Sequence, residues 1–580
     1  MELRHRGLAR LNADVARPAK PGAYARRAVV VFLALFLLAP AVAAAADPRL
    51  PPSQTEPPRY FERSAQQVDR IAERASKVRA ARRVGPLDPT AYTRGVGRWQ
   101  VSYFRDGKEI VQVQVDDRSG AIVEQWSGYQ VAWRMARGYP GAFGRKLNAP
   151  YVWLPLCALF LLPFIDFRRP FRLLHLDLLV LLAFGASHVF FNRGEIGVSA
   201  PLVYPVLLYL LGRMLLAGFR PRERPGRLVP YVPLAGLALA LVCLVGFRVA
   251  LNVVDSNVID VGYAGVIGAD RIVDGDGLYG DGFSQDVGKG DTYGPVNYLL
   301  YVPFEQALRW SGRWDDLPAA HGAAIAFDLL TIAALLLLGR ALRPGREGTA
   351  LGVALAYAWA AYPYTAFTLE ANSNDTLVAL FCTLALLAYV RRTAVGTGVA
   401  VALGAAAKFA PLALAPLLGR RRPLAFGLAL VATLAITTVP FIPDGGLGEL
   451  YDRTLGYQAA RGSPFSIWGQ EPSLDWLQTV LKVAAVGLAL LVAFVPRRPS
   501  DRQVAALGAA VLIALQLPVN HWFYLYVVWF VPFVLVASLG ATRPPAPAAA
   551  ESTWHAHPSR PPPVPRSATG PRSPSRSAPA

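Results

Sequence analysis

Cysteine is almost missing from this chain. Its 580 residues hold three, Cys157, Cys243 and Cys382, and all three fall in long apolar runs. That excludes a disulfide framework and any metal site built on paired cysteines. Charge is scarce too: 17% of residues are charged against 53% hydrophobic, which excludes an ordinary soluble domain. Acids are the scarcer sign, 39 against 59 bases, for a net charge of +20. The bases stand in short clusters between apolar runs, the pattern of cytoplasmic loops beside membrane spans, so no nucleic-acid partner is expected.

What the chain has in quantity is apolar sequence. Roughly twenty apolar residues cross a bilayer as a helix, and inside lipid the backbone must satisfy its own hydrogen bonds, so these runs are read as helices. Arg26-Arg27 before the apolar stretch from Ala28 reads as an export signal or uncleaved anchor over residues 1–46. Spans are predicted at 151–166, 173–191, 198–219, 228–253, 321–340, 350–370, 371–390, 424–442, 477–495, 503–520 and 523–541, about eleven in all. Arg168-Arg169, the run Arg220 to Arg227, Arg340 to Arg346, Arg391-Arg392, Arg420 to Arg422 and Arg497-Arg498 mark the cytoplasmic side. Residues 395–418 carry arginines at both ends and Lys408 and Pro411 between. They form a re-entrant or broken helix, or one ordinary span with a misread flank. The expectation is an all-α multi-pass protein of the inner (plasma) membrane, with a small α+β domain ahead of it. The tail, 542–580, is Pro-, Ser-, Ala- and Arg-rich and is expected to be disordered and cytoplasmic.

Residues 47–147 read as that extracytoplasmic domain. Val68, Ile71, Ala75 and Val78 recur at helical spacing. Trp99-Val101-Tyr103, Val111-Val113-Val115 and Ala121-Val123 alternate, with turns at Asp106-Gly107 and Arg118-Ser119-Gly120, which predicts a three-stranded meander. The run "WQVSYFRDGKEIVQVQVDDRSGAIVEQ" resembles PepSY-type domains; no catalytic signature goes with it.

The span 228–253 delivers Asp255 and Asp260 at its far end, then Tyr263. The loop 254–292 holds eight aspartates against Arg271 and Lys289, and closes at Tyr293-Gly294-Pro295. Most loop acids are simply solvated. Asp260 and Asp255 differ because they stand at the membrane exit, and Asp260 and Tyr263 are three apart, on one face of a helix. A carboxylate there could take the proton of a sugar hydroxyl attacking an activated anomeric carbon. On this side of the membrane the donor would be a polyprenyl-phosphate sugar, since sugar nucleotides are cytoplasmic.

The ordered series "DVGYAGVIGADRIVDGDGLYG", "TYGPVNYLLYVPFE", "LEANSNDTLVALF", "AAAKFAPLALAPLLGRRRP" and "NHWFYLYVVWFVP" resembles the polyprenol-phosphate-mannose-dependent mannosyltransferases of the C-type glycosyltransferase superfamily. The resemblance covers 228–541, with 151–227 as added helices. It implies a C-type helical core, inverting transfer of a sugar, mannose in that family, and a catalytic Asp at Asp260, with Asp255 as competitor. The acceptor is expected to be an extracytoplasmic glycolipid or glycan, and no cofactor is expected, with a divalent metal left open. The Asp-rich loop and the leading module depart from the family.

A phosphate leaving group needs cations at membrane depth, where charge is expensive. Lys408, His521 and Arg248 are the candidates; Arg248 could instead snorkel, and His521 could belong to an aromatic belt. Glu370, Asn372, Asn374 and Asp375 fill a hairpin between two spans, either holding sugar hydroxyls or capping the second helix. Tyr263 and Tyr293 complete the candidate substrate contacts. Two rival readings remain: a transporter or flippase of a lipid-linked sugar, and a sensor or assembly protein anchored by its helices.

Overall fold

The computed structural model describes residues 48–95, 97–138, 144–280, 282–283 and 287–543. The export segment and the tail beyond Arg543 lie outside them.

The leading domain packs two short helices, Ala65–Ala72 and Ser76–Arg82, on a four-stranded antiparallel meander: β1 (Asp88–Thr93), β2 (Arg98–Arg105), β3 (Lys108–Asp116) and β4 (Ile122–Ser127). A Ser64–Gln67 capping box opens the first helix. Val68 and Val78 from the helices meet Trp99, Val101, Tyr103 and the inward valines of β3 in one buried core. The sheet has one strand more than expected. β1, Asp-Pro-Thr-Ala-Tyr-Thr, lacks the alternation of a strand with one buried face. It is an edge strand, where Pro89 is tolerated.

Among the described residues six helices are long and apolar enough to cross a membrane: Leu173–Asn192, Ile196–Phe219, Leu234–Asp255, Pro318–Leu342, Pro423–Phe441 and Pro472–Leu491. The last two leave Leu424, Ile436 and Val483 exposed, as lipid-facing surfaces require. Inside them lie shorter helices buried on all sides, among them Gly345–Ala361, Asp375–Val390, Asp501–Gln516 and Val527–Leu539. Burial all round, rather than length, marks these as the centre of the bundle.

Two expected spans are broken. The run 350–370 divides at Tyr362-Pro363 into Gly345–Ala361 and Pro363–Glu370, because proline has no N–H and pushes the preceding residue out of helical geometry. The segment 395–418 runs as Ala394–Ala407, opens at Lys408 (φ −154°, ψ 118°), and resumes as a 3₁₀ turn over Ala410–Leu414 and the helix Ala415–Gly419. Pro411 packs on Gly404, where a Cβ would stand 3.0 Å from the proline ring.

Candidate active site

Asp260 is placed by the hairpin that follows the broken span. After Asp255 the chain runs extended, and the N–H groups of Asn257 and Ile259 donate to the carbonyls of Glu370 and Ala371, each at 3.2 Å. The amide of Asn372 donates to Ser256 Oγ (2.9 Å) and to the Asn257 carbonyl (3.0 Å). The helix Asp260–Asp274 then starts, with the Val261 N–H donating to Asp260 Oδ1 at 3.0 Å. Gly262 lets this helix lie on the hairpin: a Cβ there would come within 2.3 Å of the Asn372 carbonyl oxygen.

The Asp260 carboxyl opens on a cavity of about 190 Å³ whose wall includes Val261, Ala264, Lys289, Tyr293, Tyr457 and Arg461. The carboxyl is accessible from the cavity, yet protein surrounds it beyond. That burial raises its pKa, and the charges of Arg461 and, more weakly, Lys408 pull it back. Arg461 has a buried Nε with no hydrogen-bond partner, and its guanidinium lies 5.1 Å from the centre of the Trp133 ring. Lys289 reaches over Tyr457 at 5.9 Å. Acid and cations therefore line one cavity.

The other predicted site residues are placed as follows. Tyr293 is on the cavity wall, and its carbonyl accepts the Tyr279 hydroxyl at 2.9 Å. Tyr263 is not: its ring is buried against Trp314 (4.8 Å) and Trp310 (6.0 Å). Three residues turn a helix 300°, and here Val261 and Ala264 fill the face toward the cavity. Asp255 is turned toward the segment after the sheet domain, accepting the Lys146 N–H at 3.0 Å with the Lys146 ammonium at 3.9 Å; it does not pair with Arg248. Arg248 neither snorkels nor reaches this cavity. It is buried in a 2.6 Å ion pair with Asp328, its Nη1 donates to Thr365 Oγ1 and the Ala360 carbonyl, and its Nε is buried without a hydrogen-bond partner.

Lys408 stands at the break between its helices with its charge engaged. Its ammonium is 2.6 Å from Asp375 and 3.2 Å from Asn374 Oδ1. The rings of Tyr293, Tyr526 and Trp529 stand 5.1–5.4 Å from it. Trp529 Nε1 donates to the same Asp375 oxygen at 2.8 Å. Asn374 makes no helix cap; its amide donates to Asn297 Oδ1 at 2.9 Å. The Asn372, Asn374 and Asp375 side chains thus tie separate segments together, while both carboxyl oxygens of Glu370 are buried without a hydrogen-bond partner. His521 hydrogen-bonds Ser463 Oγ through Nδ1 at 2.8 Å and stacks on Trp133 at 5.8 Å. Burial first, then Arg461 and Lys408, hold its imidazole well below its usual range, so it is neutral at pH 7.

Arg461 is the residue that sequence reasoning missed. It stands in the loop between the spans at 424–442 and 477–495. Nothing in the local sequence sets it apart from Arg453 in the same loop. Among the described residues no group of three or more His, Cys, Asp or Glu is arranged to hold a metal ion.

Residues 292–536 match the model of glycosyltransferase family 87. Over that stretch, less than half of its length, the chain is similar to this family, and its long apolar helices make it an integral membrane protein. Lys408, Arg461, His521 and the hairpin lie within the matched stretch, and Asp260 lies ahead of it. Among solved structures, the crystal structure of ArnT from Cupriavidus metallidurans bound to undecaprenyl phosphate aligns at 16% identity and a TM-score of 0.38. The alignment covers 53% of this chain and 60% of that one. No curated protein matches the chain.

Proposed function

We propose that this protein transfers a sugar from a polyprenyl-phosphate donor to an extracytoplasmic glycolipid or glycan, with Asp260 as general base. The motif resemblance favours mannose. The observation that carries the reading is a carboxylate and a guanidinium whose Nε has no hydrogen-bond partner, both lining one cavity just past the end of a membrane span. In the reaction the acceptor hydroxyl oxygen forms a bond to the anomeric carbon while the carbon–oxygen bond to phosphate breaks. Asp260 accepts the hydroxyl proton, and the polyprenyl phosphate leaves with its new negative charge beside Arg461 and Lys289. Attack opposite the leaving group inverts the anomeric centre. Burial of Asp260 serves this role, because a carboxylate of raised pKa is a stronger base.

The test is transfer from polyprenyl-phosphate mannose by the full chain in lipid nanodiscs. Asp260→Asn keeps the shape and removes the basicity, so turnover should fall by roughly 10²–10⁴ with donor affinity nearly unchanged. Full turnover in Asp260→Asn would remove the base from the scheme.

A further inference from the structure

A second cavity, of about 150 Å³, lies at the other end of the bundle. The helix Leu234–Asp255 separates the two ends, and its 22 residues span roughly 33 Å at 1.5 Å each. Six arginines contribute to the wall of this cavity, Arg172, Arg213, Arg220, Arg222, Arg224 and Arg502, against one acid, Asp177. They come from three separate stretches of chain, and the fold collects them. The strands Arg224–Pro225 and Thr542–Arg543 pair beside it in parallel, and Arg502 donates to the carbonyls of Ala537 and Arg222, each at 3.1 Å.

The acids present are already engaged. Asp177 holds Arg213 through both oxygens at 2.8 Å and also accepts the Tyr209 hydroxyl. Asp166 stands 3.4 Å from Arg172, and Glu223 acts on Arg502 from nearby. Six guanidinium groups outnumber these three carboxylates. A second observation is independent of charge: the hydroxyl of Ser538, in the same wall, is buried with no hydrogen-bond partner. A concave wall with surplus guanidinium forks and an unsatisfied hydroxyl matches a phosphate group, which accepts hydrogen bonds on several oxygens.

We propose that this pocket binds a phosphate-bearing anion, the headgroup of an anionic phospholipid or free phosphate. Neither the Asp260 cavity nor transfer enters the argument, so the proposal stands or falls separately from the proposed function.

The experiment uses the full chain, purified and delipidated in detergent, titrated with short-chain phosphatidylglycerol, short-chain phosphatidylcholine and inorganic phosphate and read by native mass spectrometry. Phosphatidylglycerol should bind at least tenfold more tightly than phosphatidylcholine, and the double variant Arg222→Gln/Arg224→Gln should lose at least tenfold of that affinity. Arg222→Lys/Arg224→Lys should keep part of it. Inorganic phosphate that binds alone and displaces the lipid identifies free phosphate as sufficient; displacement only by the lipid identifies the headgroup. Equal binding of the two lipids with no binding of phosphate overturns the proposal. So does unchanged binding in a folded Gln variant. If that variant fails to fold, Ser538→Ala decides: a weakened site supports the pocket, and undiminished affinity refutes it.

Discussion

Lys408 and Asp375 form an almost enclosed pair, their side chains 13% and 1% exposed, so removing either partner leaves a charge or acceptor stranded at the centre of the bundle. Breaking such a pair costs about 3–5 kcal/mol, which is roughly two to four powers of ten in the equilibrium for local opening. Asp375→Asn weakens acceptance from both Lys408 and Trp529, while Lys408→Met keeps the stem and removes the charge. Each single change should therefore destabilise strongly. The double change should cost less than the two together, because neither partner is then left alone. Cys382 lies fully buried on the helix that Asp375 begins and makes a reporter. With Cys157 and Cys243 replaced, the rate at which a thiol reagent reaches Cys382 in reconstituted protein reads the opening. Labelling as slow in both single variants as in the parent would refute the reasoning. A Lys408→Met protein of unchanged stability that loses only donor affinity would show instead that the ammonium meets the lipid phosphate directly.

Two further outcomes are expected. Arg461→Gln removes the largest influence lowering the Asp260 pKa, so that pKa rises further. A base must be unprotonated to act, so the acid limb of kcat/KM against pH should move to higher pH in Arg461→Gln; a limb that stays in place would separate Arg461 from Asp260. In a background lacking native cysteines, Asp274→Cys should react with an impermeant thiol reagent in intact cells and Arg346→Cys only after lysis, and the reverse pattern would place the cavity on the wrong side for a lipid-phosphate donor.

The sequence showed the large features because they are written in local composition. Length and hydropathy located the apolar helices, and Pro411 beside Lys408 announced the broken one. Alternation located three strands of the leading sheet, while β1, an edge strand built of polar residues, carries little of that signal. Pairings between distant segments were invisible. Arg248 meets Asp328 eighty residues away, and Lys408 meets Asp375 from the far end of a pair of helices, Asp375–Val390 and Ala394–Ala407; a scan along the chain sees each as a lone charge at membrane depth. Such charges look available for a ligand, and only the packed helices show that a partner already holds them. Asp260 could be singled out by its position at a span end, but the guanidinium lining the same cavity comes from a loop two hundred residues later.

The boundary at residue 147, drawn where polar sequence gives way to apolar, does not coincide with the boundary of the site. Trp133 stands on the near side of it, between the sheet domain and the first apolar helix, and its ring lies beneath Arg461 and against His521 and Phe465. The Gln130 amide meanwhile donates to the Gly194 carbonyl at 3.3 Å, fastening the same segment to the bundle. Cutting the chain at its apparent joint would remove the ring packed on the guanidinium that lines the Asp260 cavity. The segment that follows the sheet domain thus packs on Arg461 through Trp133 while Gln130 holds it to the bundle, and belongs to the surroundings of the cavity rather than to a linker.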